Sequence, residues 1–134
     1  MRRVAVEGQG ALAEDLRRAF DAPGAAATTL AIDGCLLIAT PDVIDICARL
    51  RGYDGAAIIL ILPDSLPALE RQLLIGAIEP IAIESAPGKR VAAVAVAAGA
   101  AIGDVVETAM FLLEASAVTG QLLTIEPWQA ASRA

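Results

Sequence analysis

Ala57-Ile58-Ile59-Leu60-Ile61-Leu62 is the stretch on which the fold turns. Six consecutive aliphatic side chains leave no solvated face, so a strand here must be covered on both sides. Such a strand belongs to a sheet with helices above and below it. The flanking segments supply them. Upstream, Thr40-Pro41-Asp42 offers a hydroxyl cap, a proline at the first helical position and a carboxylate in the first turn. Val43, Ile46, Cys47 and Leu50 then form a buried stripe, and Gly52 stops the helix. Downstream, Asp64-Ser65 can cap a long helix from Pro67 to Ala86, which Pro80 should kink or loosen and Pro87-Gly88 closes.

Farther out, the same alternation continues. Arg3 to Val6 predicts a first strand. Ala11 to Phe20 predicts a helix with Leu12, Leu16 and Phe20 on one face and Glu14 four residues before Arg18, at ion-pair spacing. Ala26 to Leu30 reads as a weaker strand, Cys35 to Ala39 as a buried one, and Arg90 to Val96 as another. Ile102 to Ala115 predicts a helix and Leu122 to Ile125 a last strand. The expected architecture is α/β, three-layered, with a mostly parallel sheet of five to six strands. It forms one domain over residues 1–126, and a tail over 127–134 carries Trp128.

The 134 residues are 57% hydrophobic, with only one Trp, one Tyr and two Phe, so the excess is aliphatic. A domain of this size has much surface for its volume. Such a composition implies exposed apolar surface for a partner to cover. The net charge of −6 and scattered Lys and Arg disfavour nucleic acid. The longest charge-free apolar stretch, Val91 to Gly103, is shorter than the ~20 residues of a membrane span. The amino-terminal residues do not read as a signal peptide. Cys35 and Cys47 lie in apolar contexts and read as free thiols of a cytoplasmic protein. The absence of histidine removes any Ser-His-Asp or Cys-His arrangement and leaves little for a zinc site.

Gly8-x-Gly10-x-x-Ala13 follows a strand and opens a helix, the setting in which a dinucleotide fingerprint has meaning. It is the candidate cofactor site. The same residues also suit a tight strand-to-helix turn with no ligand. Glu7 is expected to place a carboxylate where a phosphate would approach. The ribose-binding acid expected about 20 positions on is missing from Ala27-Thr28-Thr29-Leu30. Asp33, Asp42 and Asp64 could gather at the carboxyl ends of strands, although turn and cap roles account for each.

The carboxyl-terminal half resembles the short-chain dehydrogenase/reductase family. Ala82-Ile83-Glu84-Ser85-Ala86-Pro87-Gly88-Lys89-Arg90-Val91-Ala92-Ala93-Val94 is similar to the end of that family's central helix and the strand after it. Phe111-Leu112-Leu113 and Val118-Thr119-Gly120-Gln121-Leu122 are similar to its last helix, turn and strand, and Ile32-Asp33-Gly34-Cys35-Leu36 resembles an earlier strand. The resemblance implies a shortened Rossmann-like domain. It also implies a Tyr-x-x-x-Lys pair, whose places fall here on Pro67 and Arg71. Arginine stays protonated and cannot replace a tuned lysine. The only tyrosine is Tyr53 and the only lysine Lys89, too far apart in sequence to form that pair. The substrate lid would lie between Val96 and Ile102, a stretch of alanines and one glycine. Of the family's glycine pattern only Gly8 matches.

What the resemblance leaves is assembly. Family members pair through central long helices and through the last helix and strand. Here Leu69, Leu73, Ile78, Ile81, Met110, Phe111 and Trp128 are the expected contacts. The expectation is a non-catalytic subunit without cofactor, pairing with itself or with a complete short-chain dehydrogenase; the alternative keeps a degenerate site for NAD or NADP at Gly8, Gly10 and Ala13.

Overall fold

Five strands lie side by side in chain order, every neighbouring pair parallel, in a computed structural model of the chain that describes residues 4–21 and 33–127. They are β1 (Val4–Glu7), β2 (Gly34–Ile38), β3 (Ala57–Leu62), β4 (Arg90–Val96) and β5 (Leu122–Ile125). The helices between them are α1 (Ala11–Asp21), α2 (Val43–Gly52), α3 (Ala68–Ser85) and α4 (Ile102–Glu114). This is the expected Rossmann-like layering, with five strands among the described residues. The weaker strand at Ala26 to Leu30 and Trp128 lie outside them.

Strand alternation divides the core in two. Leu36, Ile38, Ala57, Ile59, Ile61, Ala92 and Val94 face α1 and α4. Cys35, Leu37, Ile58, Leu60, Leu62, Val91, Ala93 and Ala95 face α2 and α3. All six residues of β3 are buried, as its composition demanded. Steps β2 to β3, β3 to β4 and β4 to β5 run in one direction across the sheet. Helices α2 and α3 cross on one face and α4 on the other. The β4–α4–β5 crossover is therefore of opposite hand to the two before it.

Local chemistry departs from the sequence expectation in three places. The N-cap of α2 is Asp42, whose carboxylate accepts from the Asp45 N–H at 3.0 Å; Thr40 instead accepts from the Asp42 N–H at 3.3 Å. Helix α3 begins after Pro67 with no side-chain cap, so Ser65 and Asp64 do not cap it. It continues as a helix through Pro80, which is exposed. Glu14 pairs not with Arg18 but with Arg17 at 2.9 Å, while Arg18 pairs with Asp15 at 3.1 Å. Arg17 wins because its other nitrogen donates to the carbonyls of Val6 and Gly8, fixing the guanidinium beside Glu14.

Candidate functional site

Parallel strands put all their carboxyl ends on one edge, and a cleft of about 500 Å³ opens there. Gln9, Gly10 and Leu12 form one wall, Thr40, Pro41, Asp64 and Ser65 another, and Ala97, Gly99 and Ala100 a third. The β1–α1 turn needs both its glycines. Gly8 has φ +134° and a Cβ there would sit 2.6 Å from the Ile38 Cβ; Gly10 has φ +105° with open space beside it. Ala13 is fully buried under α1. Gly8 and Ala13 are therefore packing residues, and Gly10 alone faces the cleft.

Charge around this cleft is arranged differently from the expectation. Glu7 does not stand in it. Its carboxylate points across the other face of the sheet towards Arg49, 3.7 Å away. The carboxylates that do line the cleft are Asp15 and Asp64, with no Arg or Lys among the lining residues. Arg17 is turned back onto the turn carbonyls, and Arg71 donates to the Pro63 carbonyl at the end of β3. Asp33 lies at the opposite edge, before β2, so the three aspartates do not gather. Asp42 is a cap, as its turn context suggested.

Pro67 and Arg71 stand one helical turn apart at the start of α3. This is where the resemblance puts its Tyr and Lys. Pro67 carries no proton to transfer. The lid segment is the short turn Ala97–Ala101, with Gly99 at φ +81° against Pro127.

Tyr53 and Lys89 meet at the amino edge of the sheet, but through the Tyr53 backbone carbonyl and not as the family's side-chain pair. Lys89, 9% exposed as a residue, donates through its ammonium to the carbonyls of Leu50 at 2.5 Å, Arg51 at 3.0 Å and Tyr53 at 2.8 Å. All three of its protons satisfy the open end of α2, where the helix dipole favours a cation. Burial lowers the Lys89 pKa, with Asp54 opposing. Burial, then the electrostatic influence of Cys35, Asp33, Asp54 and Glu7, pushes the Tyr53 phenol up to about 12. A hydride-transferring enzyme needs the reverse, a phenol that gives up its proton readily.

Arg90 repeats the device on the other face. Its guanidinium donates to Leu112 at 2.8 Å, Ala115 at 2.9 Å and Leu113 at 2.7 Å, closing α4. Adjacent residues at a strand's start point to opposite faces, so Lys89 and Arg90 cap one helix on each. Two cations before an apolar strand carried that signal; the sequence reading used them only for resemblance. Thr119 closes the next turn, accepting from the Val91 N–H at 3.1 Å.

The expected contact residues separate by burial. Leu69, Leu73 and Phe111 are 66%, 51% and 56% exposed. Ile78, Ile81 and Met110 are not surface residues. The two isoleucines lie on the sheet side of α3 and Met110 in the α1/α4 core, so their contacts are within the domain.

A family model for short chain dehydrogenase-like proteins matches residues 36–125. The chain belongs to this family. The matched stretch runs from β2 to β5, so the short-chain dehydrogenase-like region takes in α3, Lys89 and Arg90 but not the glycine turn. No curated protein matches the chain. Cys35 and Cys47 are free thiols, and among the described residues no group of His, Cys, Asp or Glu could hold a metal ion. No helix among them is long and apolar enough to cross a membrane.

Proposed function

We propose that this short-chain dehydrogenase-like chain is a non-catalytic subunit that works by pairing through the outer face of α3. The partner is a second copy or a complete short-chain dehydrogenase. The observation that carries the reading is the fate of the two catalytic residue types. Their family places hold Pro67 and Arg71. The chain's own Tyr53 and Lys89 sit at the amino edge of the sheet, away from the cleft, with every ammonium proton bonded to backbone. A pairing role is supported by Leu69, Leu73 and Ile83, large aliphatic side chains on water-facing positions of one helix.

A second reading keeps a dinucleotide at the glycine turn. Gly10 favours it, because its positive φ and open side would let a phosphate approach the backbone. The charges fit poorly. Asp15 and Asp64 line the cleft and the nearby arginines are committed to carbonyls. Calorimetric titration with NAD(H) and NADP(H) separates the readings. Micromolar binding abolished by Gly10→Asp would establish the cofactor reading, whereas binding no tighter than millimolar leaves the pairing role. Turnover of an alcohol with either coenzyme by the purified chain would end the non-catalytic reading.

A further inference from the structure

The chain leaves β5 at the rim of the cleft, and the sequence that follows matches what the cleft presents. Strand β5 is parallel to β4, so both end at the same edge of the sheet. The turn after β4 is stitched to it, the Ala97 N–H donating to the Ile125 carbonyl at 2.9 Å. Pro127 then packs on that turn, where a Cβ added to Gly99 would lie 3.6 Å from its Cγ. Gly99 and Ala100 are themselves a wall of the cleft. The next residue is Trp128, the only tryptophan, and Gln129-Ala130-Ala131-Ser132-Arg133-Ala134 follow it. The sequence offers Trp128 as a pairing contact, yet its neighbour Pro127 places it within one residue of the rim. Leu12, Ile38, Val96 and Val105 give the cleft an apolar floor. Asp15 and Asp64 line it with no Arg or Lys. Asp15 holds Arg18 at 3.1 Å, whereas no ion pair among the described residues engages Asp64.

We infer that residues 128–134 dock in this cleft within the same chain, the Trp128 indole on the apolar floor and the Arg133 guanidinium on Asp64. This rests on the cofactor-free reading proposed above and adds what occupies the cleft in the cofactor's place. The charges fit. The segment carries one cation and no acidic side chain, and a carboxylate that repels a phosphate accepts a guanidinium. The reach fits as well. Asp64 follows β3, two strands from β5, or about 10 Å at the usual strand spacing. Six residues, 128–133, span up to about 20 Å when extended. A cleft of about 500 Å³ has room for an indole, which needs an apolar bed for its body and a wet side for its N–H. Asp64 is exposed, so its pair with Arg133 adds direction more than strength. The indole is the anchor.

The single tryptophan is its own reporter in the full chain. Its emission should be blue-shifted from that of a free tryptophan amide, and acrylamide should quench it several-fold less. Ala100→Glu, which sets a carboxylate against the bed of the indole, should move the emission to the red and restore quenching. A native indole as accessible as the free amide overturns the inference. Cysteine cross-linking fixes the place, with Cys47→Ser removing the partly exposed native thiol. Ser65→Cys/Ser132→Cys should form a disulfide within one chain on mild oxidation. Ser85→Cys/Ser132→Cys should not, because Ser85 ends α3 at the opposite edge of the sheet. A link to position 85 in place of 65, or a 65–132 link formed only between two chains, overturns the inference. Calorimetry of Trp128→Ala with NAD(H) separates it from the reading beneath it. Binding no tighter than millimolar is expected. Micromolar binding gained in this variant supports the docked segment and ends the cofactor-free reading. An exposed indole in the native chain ends the docking and leaves the cofactor-free reading standing.

Discussion

Helices α1 and α3 each pack on one face of the sheet, yet their outer sides are opposites. Outside its buried Ala13, Leu16 and Phe20, α1 shows water Glu14, Asp15 and Arg18. Helix α3 buries Leu74, Ile78, Ile81 and Ala82, and then exposes Leu69, Leu73 and Ile83 as well. A sheet requires only one apolar stripe of a helix. The second stripe on α3 is therefore not explained by the fold, and that difference separates what makes this domain stable from what it does.

The largest effect should come from crossing that division within one helix. Leu74→Ala removes a fully buried side chain and should cost about 2–5 kcal/mol of unfolding free energy in a urea titration. Its neighbour Leu73, half exposed, should change stability by less than about 0.5 kcal/mol when made alanine while weakening association. Equal losses from the two would erase the contrast between the inner and outer faces.

Next are the glycines. Gly8→Ala forces a Cβ against Ile38 in a backbone conformation that disfavours side chains, and should destabilise by about 1–3 kcal/mol. Gly76→Ala should instead stabilise the isolated subunit by about 0.5–1 kcal/mol, because a Cβ there meets open space. A loss of monomer stability at Gly76 would mean the glycine serves the subunit's own fold.

Lys89→Met leaves three carbonyls at the end of α2 without their donor and should cost about 1.5–3 kcal/mol in the same titration. At α1, Arg18→Ala should be nearly silent, since Arg18 and Asp15 form an exposed pair.

The smallest effect concerns pH. Burial, with Glu7 adding to it, raises the Cys35 thiol to about 12 from 9.0, and the Tyr53 phenol also rises to about 12 from 10.0. Raised folded values mean that the native state keeps protons the unfolded chain releases. Stability from these two groups is complete below pH 9 and is lost as pH climbs from 9 towards 12. Lys89 acts in the opposite direction, because its lowered value favours the folded state as pH rises to its ordinary range. Tyr53→Phe should flatten the decline above pH 10, measured as unfolding free energy against pH.

The fold was legible because β3 leaves so little choice. Six aliphatic residues impose two covering layers, and the periodic segments on either side are long enough to provide them. Errors fell where several short-range partners compete. Asp42 took the cap that Thr40 could have held, and Arg17 took Glu14 from Arg18, because a fixed turn had already oriented its guanidinium. The site was less legible. Residue types at Pro67 and Arg71 disclosed a missing pair, but spacing alone could not reveal Lys89 and Tyr53 meeting at the far edge, since parallel crossovers bring distant residues together. Nor could it show which side of β1 receives Glu7, or that Ile78 and Ile81 face inward while Leu69 and Leu73 face out. An all-round apolar helix has no periodicity from which to choose a face.

Sedimentation equilibrium of the native chain beside Leu69→Glu/Leu73→Glu tests the assignment of α3's outer face most directly. The expected result is twice the subunit mass for the native protein and a single subunit mass for the variant, with the same unfolding midpoint for isolated subunits. A variant that keeps the doubled mass of the native protein would contradict it.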